Sequence, residues 1–468
     1  MKFYNREKEL EKLKSIDLLS SKKAQMTLIM GRRRVGKTEL VKRFLDKNKE
    51  GIYFFVGRKK AKALLEEYTA ILAEKFPTLV TPFRNFSEFF KYIFEISKEK
   101  KITIVFDEFQ NFKFIDNSVF STIQSLWDAE KNRARINLIL VGSLITLMEK
   151  IFAGSHEPLF GRATQKIYLE PFDINTVQTI LEDFNLKTFT DLLNFYTIFG
   201  GIPKYYESLE YEIESNKRSF LEIVHDLFLR KDSLLRNEGF DLLIEEFGKN
   251  YQTYFSLLQI IAGGSTKMSE ISSRIGIPIT ALSRFLENLN KTFRLIDRRE
   301  PIFSSFSRLG RYYLNDNLLT FWFRYIFRFR SLLEIGRERK VLDFIKKDIK
   351  VLQGLVFEEI VKQRLLSEDT RGKFIFEIDG IGKFWDRVGH EIDLVAYNQK
   401  EKKVFFGECK ISPGKINRKC ISDLKTKSAF VPWMKGERKE YYGVITIGKI
   451  RPGLKRTFEK ENFIVWEF

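Results

Sequence analysis

Cysteine is nearly absent from this chain: Cys409 and Cys420 are the two among 468 residues. That excludes a disulfide framework and points to a reducing compartment. Neither cysteine has a histidine pair at metal-ligand spacing. Of the three histidines, His390 lies nearest the acidic residues discussed below, and His156 and His225 stand outside any motif. Long apolar runs are missing too, since no stretch reaches the ~20 residues a membrane helix needs. The opening Met1-Lys2-Phe3-Tyr4-Asn5-Arg6-Glu7 is polar and lacks the pattern of a signal peptide. The expectation is a soluble, cytoplasmic protein without a membrane partner.

Acidic charge is in short supply as well. The 81 Lys and Arg outnumber the 62 Asp and Glu, leaving a net charge of +19. This balance suits an anionic partner such as nucleic acid or an acidic surface, although a Lys-rich composition alone would also produce it. Hydrophobic residues make up 44% of the chain, enough for packed cores, and the length implies two to four domains.

The strongest local signal is Gly31-Arg32-Arg33-Arg34-Val35-Gly36-Lys37-Thr38, a complete GxxxxGK[ST] phosphate-binding loop. Met26–Met30 before it reads as a buried strand, and Glu39–Leu45 after it has helical spacing. In such a loop, backbone N–H groups and the helix N-terminus hold the phosphates of ATP. Lys37 reaches the β/γ-phosphates, and the Thr38 hydroxyl ligates Mg²⁺. Gly51–Val56 reads as a second strand, followed by amphipathic helices near Ala63–Lys75 and Asn85–Glu99. Asn5 is the expected N-cap of a first helix. Lys101–Gln110 is a β-branched strand that ends in two carboxylates. Beside a phosphate loop, Asp107 can hold Mg²⁺ through water and Glu108 can polarise the attacking water. Ile136–Ser143 brings a hydroxyl to the same sheet edge, where Ser143 either senses the γ-phosphate or caps the helix Leu144–Lys150. Strands alternating with helices imply a doubly wound parallel sheet.

Phe3–Arg6, the loop at residues 31–38, Val105-Phe106-Asp107-Glu108-Phe109-Gln110, Gly142-Ser143, Pro158–Arg162 and Gly200–Pro203 together resemble the archaeal ATPases of the AAA+/STAND superfamily. The resemblance implies that Arg162 acts as an arginine finger or sensor, in cis or from a neighbouring subunit, so an oligomer stays open. It also implies that Pro203, in a lid motif, contacts the nucleotide. Read without it, Arg162 is a surface residue in a glycine turn and Gly200–Pro203 a tight helix–helix turn.

Three helices follow in the middle of the chain, Tyr254–Ala262, Met268–Ile275 and Pro278–Asn290, with a hairpin from Phe293–Arg299 and Tyr312–Leu314. This pattern suggests a winged helix-turn-helix. Its wing carries Lys291, Arg294, Arg298, Arg299, Arg308 and Arg311, suited to phosphate contacts, with an intramolecular spacer as the alternative. The aromatic run Phe321–Phe327 reads as core. From Val351, a helical stripe of Val351, Leu355, Glu358, Val361 and Leu365 leaves Glu358 as its one charge, and a metal would partner that carboxylate. Asp393 lies on an alternating strand, and Glu408-Cys409-Lys410 closes the next.

That order resembles the PD-(D/E)xK nuclease core, although Ile392 stands where such folds carry proline. The resemblance implies that Glu358, Asp393 and Glu408 hold Mg²⁺ or Mn²⁺ with the Cys409 carbonyl, and that Lys410 orients water or steadies the phosphate. Glu-x-Lys on a hairpin is also a common cross-strand ion pair. Residues 401–468 hold 16 basic and 8 acidic residues, with clusters at Lys415–Lys419 and Arg451–Arg456.

The expectation is therefore an α/β protein with four parts. Residues 1–170 form a P-loop ATPase core, 171–250 a helical lid, 251–335 a winged helix-turn-helix, and 336–468 a restriction-endonuclease-like domain. Its expected function couples ATP binding and hydrolysis to binding, and metal-dependent cleavage, of branched or duplex DNA. The alternative is a STAND-type ATP-driven switch whose C-terminal module binds without cutting.

Overall fold

A computed structural model describes all residues except 49–50, 78–80, 216–217, 248–250, 305–308, 371 and 373. The chain divides into two compact units, residues 1–171 with 202–204, and residues 172–201 with 205–468.

The first unit is built on five parallel strands: β1 (Gln25–Met30), β2 (Gly51–Phe55), β3 (Ile102–Asp107), β4 (Ile136–Gly142) and β5 (Gln165–Tyr168). Their order is β2-β3-β4-β1-β5. Strands β3 and β4 are buried along their whole length. That explains their continuous apolar character, since a parallel sheet is covered on both faces. One face packs on an aromatic cluster in which Phe54, Tyr68, Phe89, Phe90, Phe106 and Phe112 are buried together. The opposite face is aliphatic, with Ile29, Leu40, Val41, Val105, Ile139, Val141 and Ile167. Neighbours along β3, Val105 and Phe106, thus serve opposite faces, as the period of two requires. Asn85 caps the helix Phe86–Glu99 by accepting from the Glu88 N–H. At the first helix, Glu7–Leu19, the cap position is Arg6 and not Asn5, which takes a positive φ of 43° just outside it.

The second unit opens with helices Ile174–Asp183 and Phe189–Phe199, the latter begun by a Thr188/Asp191 capping box. Helices Tyr251–Ala262, Met268–Ile275 and Ile279–Glu287 precede an antiparallel pair, β6 (Ile296–Arg299) and β7 (Arg311–Leu314). Gly276, at φ 73°, ends the second of these helices. The aromatic run is core: Phe321, Trp322, Phe323 and Tyr325 are all buried. The helix Glu338–Thr370 runs for 33 residues. It leads into a mixed sheet, β8 (Gly380–Trp385), β9 (Glu391–Asn398), β10 (Lys403–Lys410), β11 (Lys439–Thr446) and β12 (Phe463–Glu467). The order is β12-β11-β10-β9-β8, with β8–β9 and β9–β10 antiparallel and the other two pairings parallel. The apolar stripe expected on the long helix holds only in its second half. Val361 and Leu365 are buried, while Val351 and Leu355 are exposed. Burial extends to Leu352, Phe357 and Ile360 on other sides of the axis, because the long helix packs against the helices Ile174–Asp183 and Phe189–Phe199 as well as strands β9 and β10.

No helix among the described residues is long and apolar enough to cross a membrane.

Candidate nucleotide site and acidic cluster

The phosphate loop joins β1 to the helix Lys37–Leu45. Gly36 stands at the helix N-cap with φ 92°, a left-handed conformation that glycine adopts without strain. Gly31 is required for a different reason. A Cβ there would stand 2.5 Å from the Leu169 carbonyl oxygen, just beyond β5. Arg34 also has a positive φ, 67°. Arg6, buried, donates to the carbonyls of Glu170 (2.7 Å) and Val35 (3.4 Å), so the N-terminal segment braces the loop from behind.

Strand order determines which side chains meet at the loop. Because β4 lies between β1 and β3, the carboxyl ends of all three are neighbours. Thr38 Oγ1 donates to Asp107 Oδ2 at 2.6 Å, and the Tyr53 hydroxyl donates to the same oxygen at 2.8 Å. The Glu108 N–H donates to Asp107 Oδ1 at 2.9 Å. Glu108 itself turns out of the strand at φ 56°. Its Oε2 accepts from Ser143 Oγ at 2.7 Å and from Gln110 Nε2. Ser143 is therefore aimed at Glu108, while the following helix, Ile145–Ala153, has Leu144 at its cap.

Lys37 is buried and folds back on its own loop, donating to the carbonyls of Gly31 (2.9 Å) and Arg32 (2.7 Å). Burial lowers its pKa to about 8, although Glu108 and Asp107 pull the other way. Burial, and then the adjacent Asp107 charge, push the Tyr53 phenol far above its ordinary range, so it remains a donor at any physiological pH. Pro203 lies beside the loop, 3.9 Å from where a Gly36 Cβ would stand. Arg162 is engaged elsewhere. Its guanidinium pairs with Asp128 at 2.6 Å and donates to the carbonyls of Pro158 and Phe160.

In the second unit, Glu358, Asp393, Glu408 and Lys410 do come together. Lys410 Nζ lies 2.5 Å from Glu408 Oε1 and 3.8 Å from Asp393 Oδ2, and the Cys409 N–H donates to Asp393 at 2.9 Å. Glu358 is joined to them through Lys383, whose Nζ is 2.9 Å from Glu358, 2.8 Å from Glu391 and 3.8 Å from Asp393. Burial, and then the Asp393 charge, raise the Glu358 pKa to about 7. Asp393 is raised in the same direction by burial and by Glu408. Burial works against the Lys383 ammonium, but Glu358 and Asp393 outweigh it and hold its pKa above the ordinary value. The metal expected here meets a difficulty. Among the described residues no three Asp, Glu, His or Cys side chains are arranged to hold an ion, and two ammonium groups stand between the carboxylates. His390 takes no part: its Nδ1 bonds Asp386 at 2.6 Å and its ring stacks on Phe430.

Three of the cations expected to grip phosphates between Lys291 and Arg311 are engaged within the chain. Arg298 pairs with Glu300, Arg311 with Glu391, and Lys291 with Glu287. Arg308 lies outside the described residues. Two residues between β6 and β7 meet β8: the Ile302 N–H donates to the Lys383 carbonyl at 2.9 Å, and Trp385 Nε1 to that of Leu309. By contrast, Lys415, Arg418 and Lys419, on the segment following β10, are exposed.

Sequence reasoning missed Tyr53, Gln110, Lys383 and Glu391. The first two had a weak signal, a lone polar group among apolar neighbours near a strand end. Lys383 had none.

Residues 3–209 match a family described as an ATPase domain predominantly from Archaea. Residues 322–421 match one described as archaeal and bacterial proteins of unknown function. An uncharacterized protein of Methanocaldococcus jannaschii is 31% identical over 448 residues, covering 95% of each chain. Among solved structures, a Walker-type ATPase of Pyrococcus abyssi superposes with a TM-score of 0.52 at 21% identity, covering 69% of this chain and 96% of its own, a likeness of fold. With a complete phosphate loop set against Asp107 and Glu108, the chain belongs to this family of predominantly archaeal ATPases.

Proposed function

We propose that ATP binding and hydrolysis in the first unit govern DNA binding by the C-terminal part of the second. In this reading Gly31–Thr38 wraps the phosphates and Lys37 leaves the Gly31 and Arg32 carbonyls for the β/γ-phosphates. Thr38 and Asp107 would hold Mg²⁺: they are oxygen donors already 2.6 Å apart, the chemistry that ion requires. Mg²⁺ would neutralise phosphate charge. Glu108, oriented by Ser143 and Gln110, would polarise the attacking water. Pro203 would close against the nucleotide beside Gly36. Arg162 would serve as finger or sensor only after leaving Asp128. The finer partition follows the same logic, with a helical lid over 171–250, a winged helix-turn-helix over 251–335 and a nuclease-like domain over 336–468.

One observation carries the DNA half. Asp393, Glu408 and Lys410 converge at the carboxyl end of β10, and the segment leaving that end displays exposed Lys415, Arg418 and Lys419. The Lys383 ammonium among the carboxylates favours the reading in which this domain binds without cutting. The winged helix would then act as an internal spacer, because Lys291, Arg298 and Arg311 are paired within the chain. The test is fluorescence anisotropy with branched and linear duplexes across a salt series. Replacing Lys415, Arg418 and Lys419 with Gln should reduce the slope of log K against log salt by up to about 2.7, at about 0.9 per phosphate contact. An unchanged slope would remove this segment from the interface.

A further inference from the structure

The acidic cluster at the end of β10 is assembled around an ammonium group. Glu358 comes from the long helix, Glu391 and Asp393 from β9, and Glu408 from β10. Lys383, from the edge strand β8, reaches three of these four carboxylates, at 2.9, 2.8 and 3.8 Å. Lys410 takes Glu408 and the second oxygen of Asp393, and Lys427 lies 3.5 Å from Glu408. Arg311 holds the far oxygen of Glu391 at 3.0 Å. Four carboxyl groups thus face four cations, Lys383, Lys410, Lys427 and Arg311, so the cluster carries no excess of negative charge.

That arrangement competes with a divalent ion for space as well as charge. Mg²⁺ draws carboxylate oxygens in to about 2.0–2.1 Å in near-octahedral geometry. An ammonium hydrogen-bonds them from about 2.7–2.9 Å. The Glu358 and Glu391 oxygens that Lys383 Nζ holds at 2.9 and 2.8 Å cannot also close around an ion at the first distance, and Asp393 at 3.8 Å faces the same ammonium. Nor is Lys383 a loose surface side chain that would swing aside. Its backbone carbonyl accepts from Ile302, one Glu391 oxygen is fixed by Arg311, and that guanidinium also lies over the Trp385 ring at 4.7 Å. The β6–β7 segment therefore pins the strand that delivers the ammonium.

We propose that Lys383 is a built-in cation standing in the place of a divalent metal. The native carboxylates bind neither Mg²⁺ nor Mn²⁺, and removal of the Lys383 ammonium converts Glu358, Glu391 and Asp393, the three carboxylates it reaches, into a divalent-cation site. Lys383→Met leaves four carboxyl groups against three cations. The inference does not depend on DNA binding, because the metal alone is its probe.

The experiment is Mn²⁺ titration of the full chain without nucleotide, with free Mn²⁺ followed by electron paramagnetic resonance. The samples are wild type, Asp393→Asn, Lys383→Met and the double variant. Any Mn²⁺ at the phosphate loop is common to all four and cancels. Wild type and Asp393→Asn are expected to bind equally, Lys383→Met to bind one further Mn²⁺ per chain, and the double variant to lose it. Two results would overturn the proposal: wild type binding one more Mn²⁺ than Asp393→Asn, or folded Lys383→Met binding no more than wild type. Circular dichroism establishes folding. Should Lys383→Met not fold, the comparison of wild type with Asp393→Asn decides the matter.

Discussion

Lys37 offers a quantitative handle on the nucleotide site, because the nucleotide-free protein holds its ammonium at a cost. Burial brings its pKa from 10.5 to about 8. A triphosphate adds negative charge beside it and restores the protonated form. Binding must then take up a proton wherever the free protein has lost one, and affinity must fall as pH rises through about 8. The magnitude follows directly. With a pKa of about 8, roughly nine-tenths of free Lys37 is protonated at pH 7 and about 3% at pH 9.5. ATP affinity should therefore drop about thirtyfold, or about 2 kcal/mol, between those values. Isothermal titration calorimetry with Mg-ATP in buffers of different ionisation enthalpy reads both quantities. Proton uptake should rise from about 0.1 per site at pH 7 to about 0.9 at pH 9. Lys37→Met should bind weakly and without that pH dependence. A flat affinity with no proton uptake would refute the argument.

Three further outcomes follow from the same structure. Tyr53→Phe removes a donor from the buried Asp107 carboxylate, and urea melts of the nucleotide-free protein should lose about 1.5–3 kcal/mol; unchanged stability would mean that water replaces the phenol. Glu358 has a folded pKa of about 7, above its ordinary 4.5, so the protonated form is the one that folding favours. Its destabilisation is complete above about pH 7 and relieved as pH falls toward 4.5, so Glu358→Gln should raise the melting temperature more at pH 8 than at pH 5. An equal gain at both would contradict the shift. Gly201→Ala would set a Cβ 2.0 Å from the Phe172 carbonyl oxygen, and backbone yields less readily than side chains. A loss of about 3 kcal/mol in denaturant melts is expected, and a neutral substitution would show that this turn relaxes freely.

The sequence disclosed what depends on local chemistry. Gly36 and Lys37 announce themselves because a phosphate loop needs a left-handed turn and a cation at set spacing. Asp107 and Glu108 do so because two carboxylates ending a buried strand are costly without a purpose. Ser143 followed once strand ends were aligned, and its hydrogen bond to Glu108 was specified by neither of its two readings. Glu358, Asp393 and Glu408, expected together, do converge, and Lys383 and Lys410 stand among them. Lys383 was not foreseen, because β8, with the pattern Gly-Ile-Gly-Lys-Phe-Trp, carries too little alternation to reveal its register or facing. Tyr53 was missed for a related reason: its role exists only because β2 pairs with β3, a tertiary fact. Charge counted along the chain suggests a phosphate grip between Lys291 and Arg311, and the partners of those cations are not legible there. Folding pairs Arg298 and Arg311 with Glu300 and Glu391, the second from another strand altogether.

The central claim is that the nucleotide state in one unit governs DNA binding by the other. It is met most directly by anisotropy of a labelled duplex titrated with the full chain, without nucleotide, with Mg-ADP and with a non-hydrolysable Mg-ATP analogue, for wild type and Lys37→Ala. DNA affinity of the wild type should differ at least tenfold between nucleotide states, and Lys37→Ala should hold one affinity throughout. The same affinity for wild-type protein in all three states would contradict the account.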